Sequence, residues 1–486
     1  MDHKTKELAN RLKALDEISG ELEPSKEERD KYIGMLASFS NDFIQSLENQ
    51  KAFQSFNAPS EPFRITGEKR SLPDLLELYS KEVVQNGIKP ASGGHLGYIP
   101  GGGIYGTAMA DYLAAVTNEY SGMYYASPGA FNVENELLVW MKSIFGYPES
   151  AVGNLTSGGS VANLIALTSA RDAHGIKGSK IEKSVLYLSP QVHHCIQKAL
   201  RIIGLEDLII RYVDLDDRSR VDVHNLEQRI LSDIKNGLEP FMVIASAGTT
   251  DTGAVDPLWD IGKLAQKHDL WYHVDAAYGG FFILSKDKRH LFKGIELSDS
   301  MVVDPHKSLF LSYGLGAVLI KDREAVFHSH HYTANYMQDA IGSDMPVNPA
   351  DVSPELSKHF RGLRLWLPLQ LHGIRPFVAA LDEKLLLTTY FRAKLADLGF
   401  ELGPEPDLTV SYFWFPASDV DENRFNQKLL QFIHEDGRVF LSSTMIVQRF
   451  VIRLAILSFR SKMSTIDTAL EMIDCCLLQT KKYFNK

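Results

Sequence analysis

Cysteine is scarce in this sequence: three residues in 486, namely Cys195, Cys475 and Cys476. Two of them are adjacent and none has a companion at metal-ligand spacing. The pattern excludes a disulfide framework or a zinc site and fits a reducing compartment. No apolar run approaches the ~20 residues that span a bilayer. The stretch Met1–Glu7 is charged and lacks the apolar core of a secretory leader. Basic charge is short as well, with 51 Lys plus Arg against 61 Asp plus Glu, a formal net charge of −10. A binder of nucleic acid or of an anionic membrane would carry a basic stripe instead. These absences leave a globular chain expected in the cytoplasm, with neither nucleic acid nor membrane as partner.

What is present changes character along the chain. Residues 1–35 are charge-rich. From Lys31 to Phe53 the apolar residues Ile33, Leu36, Phe39, Phe43, Ile44 and Leu47 fall at helical spacing on one stripe. A lone amphipathic arm has to cover its stripe with something, and a partner subunit would serve. Between about 150 and 320, short apolar runs (Val185–Leu188, Phe241–Ala245, Trp271–Val274, Ser300–Val303) alternate with helical segments. One such helix sets Leu226, Ile230, Leu231 and Ile234 on one face and stops at Gly237; another runs from Pro257 to His268. This alternation predicts an α/β fold with a largely parallel sheet covered by helices on both faces. Beyond about 375 the order is strand (Leu408–Phe415), helix (Phe425 to Gly437), strand (Phe450–Ile456), a smaller α+β unit. The expected division is an arm at 1–88, a large domain at 89–374 and a small domain at 375–486.

Residues that carry chemistry cluster where strands of such a sheet would end, which is where ligands bind. Thr156-Ser157-Gly158-Gly159-Ser160 precedes a helical run, and a glycine-lined helix start offers free N–H groups to a phosphate. Taken alone it is equally a glycine turn capped by Ser160. Asp275 closes an apolar strand in His273-Val274-Asp275-Ala276-Ala277-Tyr278, where a carboxylate needs a cationic partner such as a protonated ring nitrogen. Lys307, in Asp304-Pro305-His306-Lys307, follows another strand and could form a Schiff base. His193 or His194 could stack on a planar ligand or act as acid or base. Each has a bland reading as cap, turn or surface residue. Together a phosphate cradle, a ring-facing His, an Asp and a Lys make up the requirements of pyridoxal phosphate. His328, His330 and His331 have no fixed carboxylate or Cys companion, and no metal is expected.

On these motifs the chain resembles the group II pyridoxal-phosphate-dependent decarboxylases, chiefly their aromatic-L-amino-acid decarboxylase branch, over residues 25–460. The resemblance implies fold type I, with a seven-stranded sheet, and a homodimer whose sites lie at the subunit interface. It implies that Lys307 carries the cofactor as an imine, Asp275 pairs with the ring nitrogen and His193 stacks on the ring. By the same resemblance Gly159, Ser160 and His306 sit at the phosphate, Thr250 supports the ring and Asp275, and Ala277 touches the opposite ring face. Ser357 matches a phosphate contact supplied by the partner. Tyr98, Ile99 and Pro100 match the segment lining the side-chain pocket, with residues near Tyr120 added by the partner.

Tyr336 lies in a polar segment, His328–Pro349, that reads as a long loop. The resemblance makes Tyr336 the proton donor to Cα, the choice that favours amine over aldehyde. The expected reaction is therefore decarboxylation of an L-amino acid, aromatic by resemblance. Glutamate, 2,4-diaminobutyrate or histidine are alternatives on the same fold. An aldehyde synthase or aminotransferase is the alternative reaction, and an inactive scaffold the non-enzymatic one. Three departures bear on substrate: Ile99 and Gly122 stand where the family has larger walls, and Asp304 replaces an Asn. A carboxylate at 304 is expected to point away from the phosphate or to be paired.

Overall fold

The computed structural model describes residues 3–55, 61–331 and 346–485. The chain divides into two units, residues 1–50 with 54–89 and residues 51–53 with 90–486.

In the first unit, helix α1 (His3–Ser19) buries none of its residues and leaves Leu8, Leu12, Leu15 and Ile18 each more than half exposed. Their spacing of four, three and three places them on one stripe, which the charge of the segment conceals in the sequence. Helix α2 (Lys26–Ser46) is the predicted arm helix. Ser25 opens it with a capping box, its Oγ accepting the Glu28 N–H while the Glu28 carboxylate accepts the Ser25 N–H. Helix α3 (Leu72–Leu78) follows an N-cap at Ser71.

In the second unit, helices α4 (Tyr105–Thr117) and α5 (Pro128–Phe145) precede the large sheet. Its strands are β1 (Val152–Thr156), β2 (Ser184–Leu188), β3 (Ile209–Tyr212), β4 (Glu239–Ser246), β5 (Trp271–Asp275), β6 (Ser300–Val303) and β7 (Gly316–Ile320). They lie in the order β1-β7-β6-β5-β4-β2-β3, a seven-stranded sheet in which only β7 runs antiparallel to its neighbours. Strand residues alternate strictly between two cores. Val185, Tyr187, Val243, Ala245, Tyr272, Val274, Met301 and Val303 pack on one face. Leu186, Leu188, Met242, Ile244, Trp271 and Val302 pack on the other, under α6 (Gly159–Ala173) and α7 (Cys195–Ile202). Burial on both faces is what the near-continuous apolar strands required.

Two expectations need correction. In α8 (Val223–Lys235), Leu226 and Ile230 are buried, but Leu231 and Ile234 are about half exposed. Asp233 takes the inward position instead, because it accepts hydrogen bonds from Tyr187 (2.9 Å) and Arg211 (2.8 Å). His328 and His330 belong not to a loop but to helix α11 (Arg323–His330), which Asp322 caps. Helix α9 (Leu258–Lys267) lies where the sequence places it, and a short turn α10 (Pro305–Ser308), not read from the sequence, follows β6.

Helices α12 (Leu363–His372) and α13 (Arg375–Asp397) lead to a four-stranded antiparallel sheet of β8 (Glu401–Leu402), β9 (Val410–Trp414), β10 (Ser442–Ile446) and β11 (Arg449–Ala455). Helices α14 (Glu422–Asp436) and α15 (Met463–Phe484) close over it on a core containing Phe413, Leu429, Ile452 and Ile473. Gly437 ends α14 in the left-handed region, at φ 73°. Among the described residues no helix is long and apolar enough to cross a membrane.

Candidate active site

The carboxyl ends of β1, β4, β5 and β6 open into a cavity of about 390 Å³. Gly159, Ser160, His193, Thr250, Asp275, Ala277, His306 and Lys307, all singled out in the sequence, line it together. The location is where a doubly wound sheet places its ligand.

At one side stands the start of α6. The cap position is Gly158 rather than Ser160, and no side chain caps the helix. Its first backbone N–H groups therefore face the cavity without a side-chain acceptor. A Cβ at Gly159 would lie 3.0 Å from Asp304 Oδ2 and 3.2 Å from the Ala277 Cβ, so only glycine leaves this cradle open. His306 is fixed from behind: its Nδ1–H donates to the Leu315 carbonyl at 2.6 Å, which leaves Nε2 to face the cavity.

Asp275 ends β5, with one oxygen accepting the Ala277 N–H at 3.1 Å and the other an Asn163 N–H at 3.3 Å. His193 follows β2 with its ring half-buried, and its Nδ1 accepts the Cys195 N–H at 3.3 Å. Burial lowers the His193 pKa, with Asp275 opposing the shift. A neutral, flat imidazole is the result.

Lys307 lies in α10, started by Pro305 directly after β6. Its Nζ is 3.0 Å from Asp304 Oδ2. Burial works against the charge, but Asp304 and Asp275 outweigh it and hold the amine above the ordinary lysine range. Asp304 is thus paired, one of the two outcomes anticipated for it. Phe310, three residues on, is buried at φ 62°, a left-handed conformation costly for a bulky residue. Gly101 packs against this turn so closely that a Cβ there would overlap the carbonyls of His306 and Lys307.

Other expected residues lie elsewhere. Tyr98, Ile99 and Pro100 are not in the cavity wall; Tyr98 packs beside His95 and Phe440, and Ile99 against the main core. Tyr120 and Ser357 are also outside this wall but next to each other, since the Tyr120 hydroxyl donates to the Leu356 carbonyl at 2.8 Å. Gly122 is needed there, because a Cβ would strike the same carbonyl and the Tyr120 ring. Tyr336 lies outside the described residues.

Two functional neighbours, Asn163 and Arg453, escaped the sequence reading, and a third, Asp304, was anticipated only as a charge near the phosphate. Asn163 lies one helical turn after Gly159 and so shares its face of α6, a signal that could have found it. Asp304 forms part of the wall. Arg453, buried on β11, donates to the carbonyls of Gly97 (2.6 Å) and Asp251 (3.2 Å) and to that of Thr250, tying two cavity-side segments to the C-terminal sheet.

The donor set suits pyridoxal phosphate: open N–H groups and a glycine cradle for a phosphate, a carboxylate for a ring nitrogen, an amine for an aldehyde. The comparisons agree. Residues 65–416 match the family model described as the pyridoxal-dependent decarboxylase conserved domain. An aromatic-L-amino-acid decarboxylase of Bacillus atrophaeus is 34% identical over 372 residues, 75% of this chain and 77% of that protein. An L-2,4-diaminobutyrate decarboxylase of Acinetobacter baumannii is 29% identical over 361 residues, 69% of this chain and 70% of that one. The crystal structure of Oryza sativa TDC with PLP and tryptamine superposes with a TM-score of 0.89 at 22% identity, covering 94% of this chain and 99% of that chain.

Proposed function

The chain belongs to the pyridoxal-dependent decarboxylase family and is a pyridoxal-phosphate-dependent amino-acid decarboxylase; on that footing we propose that it converts an aromatic L-amino acid to its amine. The observation that carries the site assignment is the convergence of Lys307 and Asp275 on one cavity with the open start of α6.

When bound, the cofactor supplies a ring that accepts the electron pair released as a Cα bond breaks. The protein's residues do the rest. Lys307 would hold the cofactor through its aldehyde, and Asp275 would keep the ring nitrogen protonated. His193 would hold one face of the ring and Ala277 the other, while Thr250 would support the ring from its loop. Gly159, Ser160 and His306 would hold the phosphate. Tyr98, Ile99 and Pro100, which lie outside the wall of this cavity, would orient the substrate side chain only where it extends beyond that wall. Tyr336 gives the proton to Cα.

The pairing of Tyr120 with the 356–357 segment, outside the chain's own cavity, supports a homodimer in which both Tyr120 and Ser357 serve the partner's site. The exposed stripe of α1 supports an arm at 1–88 that dimerises, ahead of a cofactor domain at 89–374 and a small domain at 375–486. The cysteine pattern supports a cytoplasmic location.

A carbon dioxide release screen over the common amino acids, dihydroxyphenylalanine and 5-hydroxytryptophan tests the substrate. Aromatic turnover is expected. Turnover of 2,4-diaminobutyrate alone, the reading favoured by the Acinetobacter relative, overturns it. Lys307→Ala should abolish the visible absorption of the purified protein; an unchanged spectrum defeats the assignment of Lys307.

A further inference from the structure

Behind Asp275, in the dry interior, runs a line of polar side chains that the chemistry above does not use. Trp271, His273 and Asp275 alternate with core residues on β5 and so point to one face of the sheet. In the parallel pairing of β5 with β6, His273 is the register partner of Ser300. Helix α6 covers that face and brings Asn163 down onto it. His273, Ser300 and Asn163 are all completely buried.

The chemistry of each group fixes the direction of every bond. The Trp271 indole N–H can only donate, and it meets Ser300 Oγ at 2.8 Å. Asp275 as a carboxylate only accepts, so the Asn163 atom facing it at 3.3 Å is the amide nitrogen. The amide oxygen of Asn163 therefore faces His273 Nε2, at 2.8 Å, and that nitrogen must carry the proton. Burial pushes the His273 pKa down to about 4, so the ring is neutral and its Nδ1 is bare. Nδ1 in turn lies 2.8 Å from Ser300 Oγ, whose hydroxyl hydrogen remains free to be donated. Each group has one role left to it, and the donors all point the same way: Ser300 to His273, His273 to Asn163, Asn163 to Asp275.

We propose that Ser300, His273 and Asn163 form a one-way hydrogen-bond relay that holds the Asp275 carboxylate in the orientation required by the cofactor's ring nitrogen, with Asn163 and His273 as positioning residues. The inference rests on the assignment of Asp275 to that nitrogen. If the Asn163 amide turned over, it would present oxygen to the carboxylate and repel it. His273 prevents this, because its Nε2–H has nowhere else to donate, and the Ser300 hydroxyl, by donating to Nδ1, favours the tautomer that keeps that proton on Nε2. The carboxylate is thus preset through Asn163 by two residues, His273 and Ser300, that do not line the cavity. No titratable side chain of the relay carries charge, so the arrangement stabilises the anion without cancelling it.

The test is cofactor binding, not turnover. Full-length protein is stripped of cofactor and titrated with pyridoxal phosphate and with its analogue bearing carbon in place of the ring nitrogen, following absorbance. His273→Leu removes the donor to Asn163; His273→Gln restores an N–H at a similar reach; Ser300→Ala is the milder variant if His273→Leu does not fold. The relay predicts that His273→Leu or Ser300→Ala weakens binding of pyridoxal phosphate by about tenfold, the worth of a hydrogen bond to a buried charged group, and moves the carbon analogue by less than about threefold. His273→Gln should recover most of the loss. Equal weakening toward both ligands would mean that the cluster is merely structural, and unchanged binding of pyridoxal phosphate would mean that it does nothing; either overturns the relay. A wild-type protein that binds both ligands equally well would instead overturn the assignment of Asp275.

Discussion

Lys307 Nζ and Asp304 Oδ2 lie 3.0 Å apart in the cavity wall, and the other oxygen of that carboxylate has no hydrogen-bond partner among the described residues. The proposed nucleophile thus sits beside an anion that stabilises its unreactive, protonated form. An amine must lose its proton to attack an aldehyde.

This gives a pH prediction with a definite sign. Asp304 and Asp275 raise the Lys307 pKa, so capture of the cofactor should accelerate as pH rises into the alkaline range. Asp304→Asn removes one raising cause and leaves burial, which lowers. Its capture–pH curve should move toward acid, read as the rate of appearance of visible absorbance. A curve that stays in place or moves toward alkali contradicts the role given to Asp304.

A second ion pair governs stability. Lys358 Nζ lies 2.7 Å from Glu134 Oε2, both side chains fully inside, and the Gly362 N–H donates to the other Glu134 oxygen at 3.1 Å. Lys358→Met strands a buried carboxylate and should cost about 3–5 kcal/mol, measured by denaturant unfolding. Adding Glu134→Gln should return much of the loss. A single variant as stable as wild type would show the pair to be idle.

The proposed dimerisation of the arm predicts that the stripe Leu8, Leu12, Leu15 and Ile18 is covered by a second copy. Leu12→Glu with Ile18→Glu is expected to weaken self-association by about tenfold or more, since charge would replace buried apolar contact. Sedimentation equilibrium reads this directly, and an unaltered dimer constant removes the stripe from the interface.

Tyr336→Phe should cut amine formation by about a hundredfold, the usual worth of a placed general acid, and raise aldehyde. Product analysis by chromatography decides; amine output at the wild-type rate clears Tyr336 of the role.

Strand positions were legible where β-branched and aromatic residues run together, as at Val185–Leu188 and Ser300–Val303. Strand β1 was not, because Val152-Gly153-Asn154-Leu155-Thr156 interrupts its apolar run with a glycine and an asparagine that only the tertiary setting tolerates. The cavity residues could be read because each follows a strand and has a distinctive chemistry. His273 and Ser300 could not, since their meeting depends on the register between β5 and β6, which no local pattern encodes. Leu231 and Ile234 misled for a related reason: a periodic stripe says which residues share a side of a helix, not how wide a strip the neighbouring sheet will cover.

Gly101 rests on the carbonyls of His306 and Lys307 with no room for a single added carbon. The position after Pro100 therefore cannot be enlarged without displacing the backbone of His306 and Lys307. Any evolutionary or engineered change along this seam has to be made on either side of Gly101, while that glycine itself stays fixed.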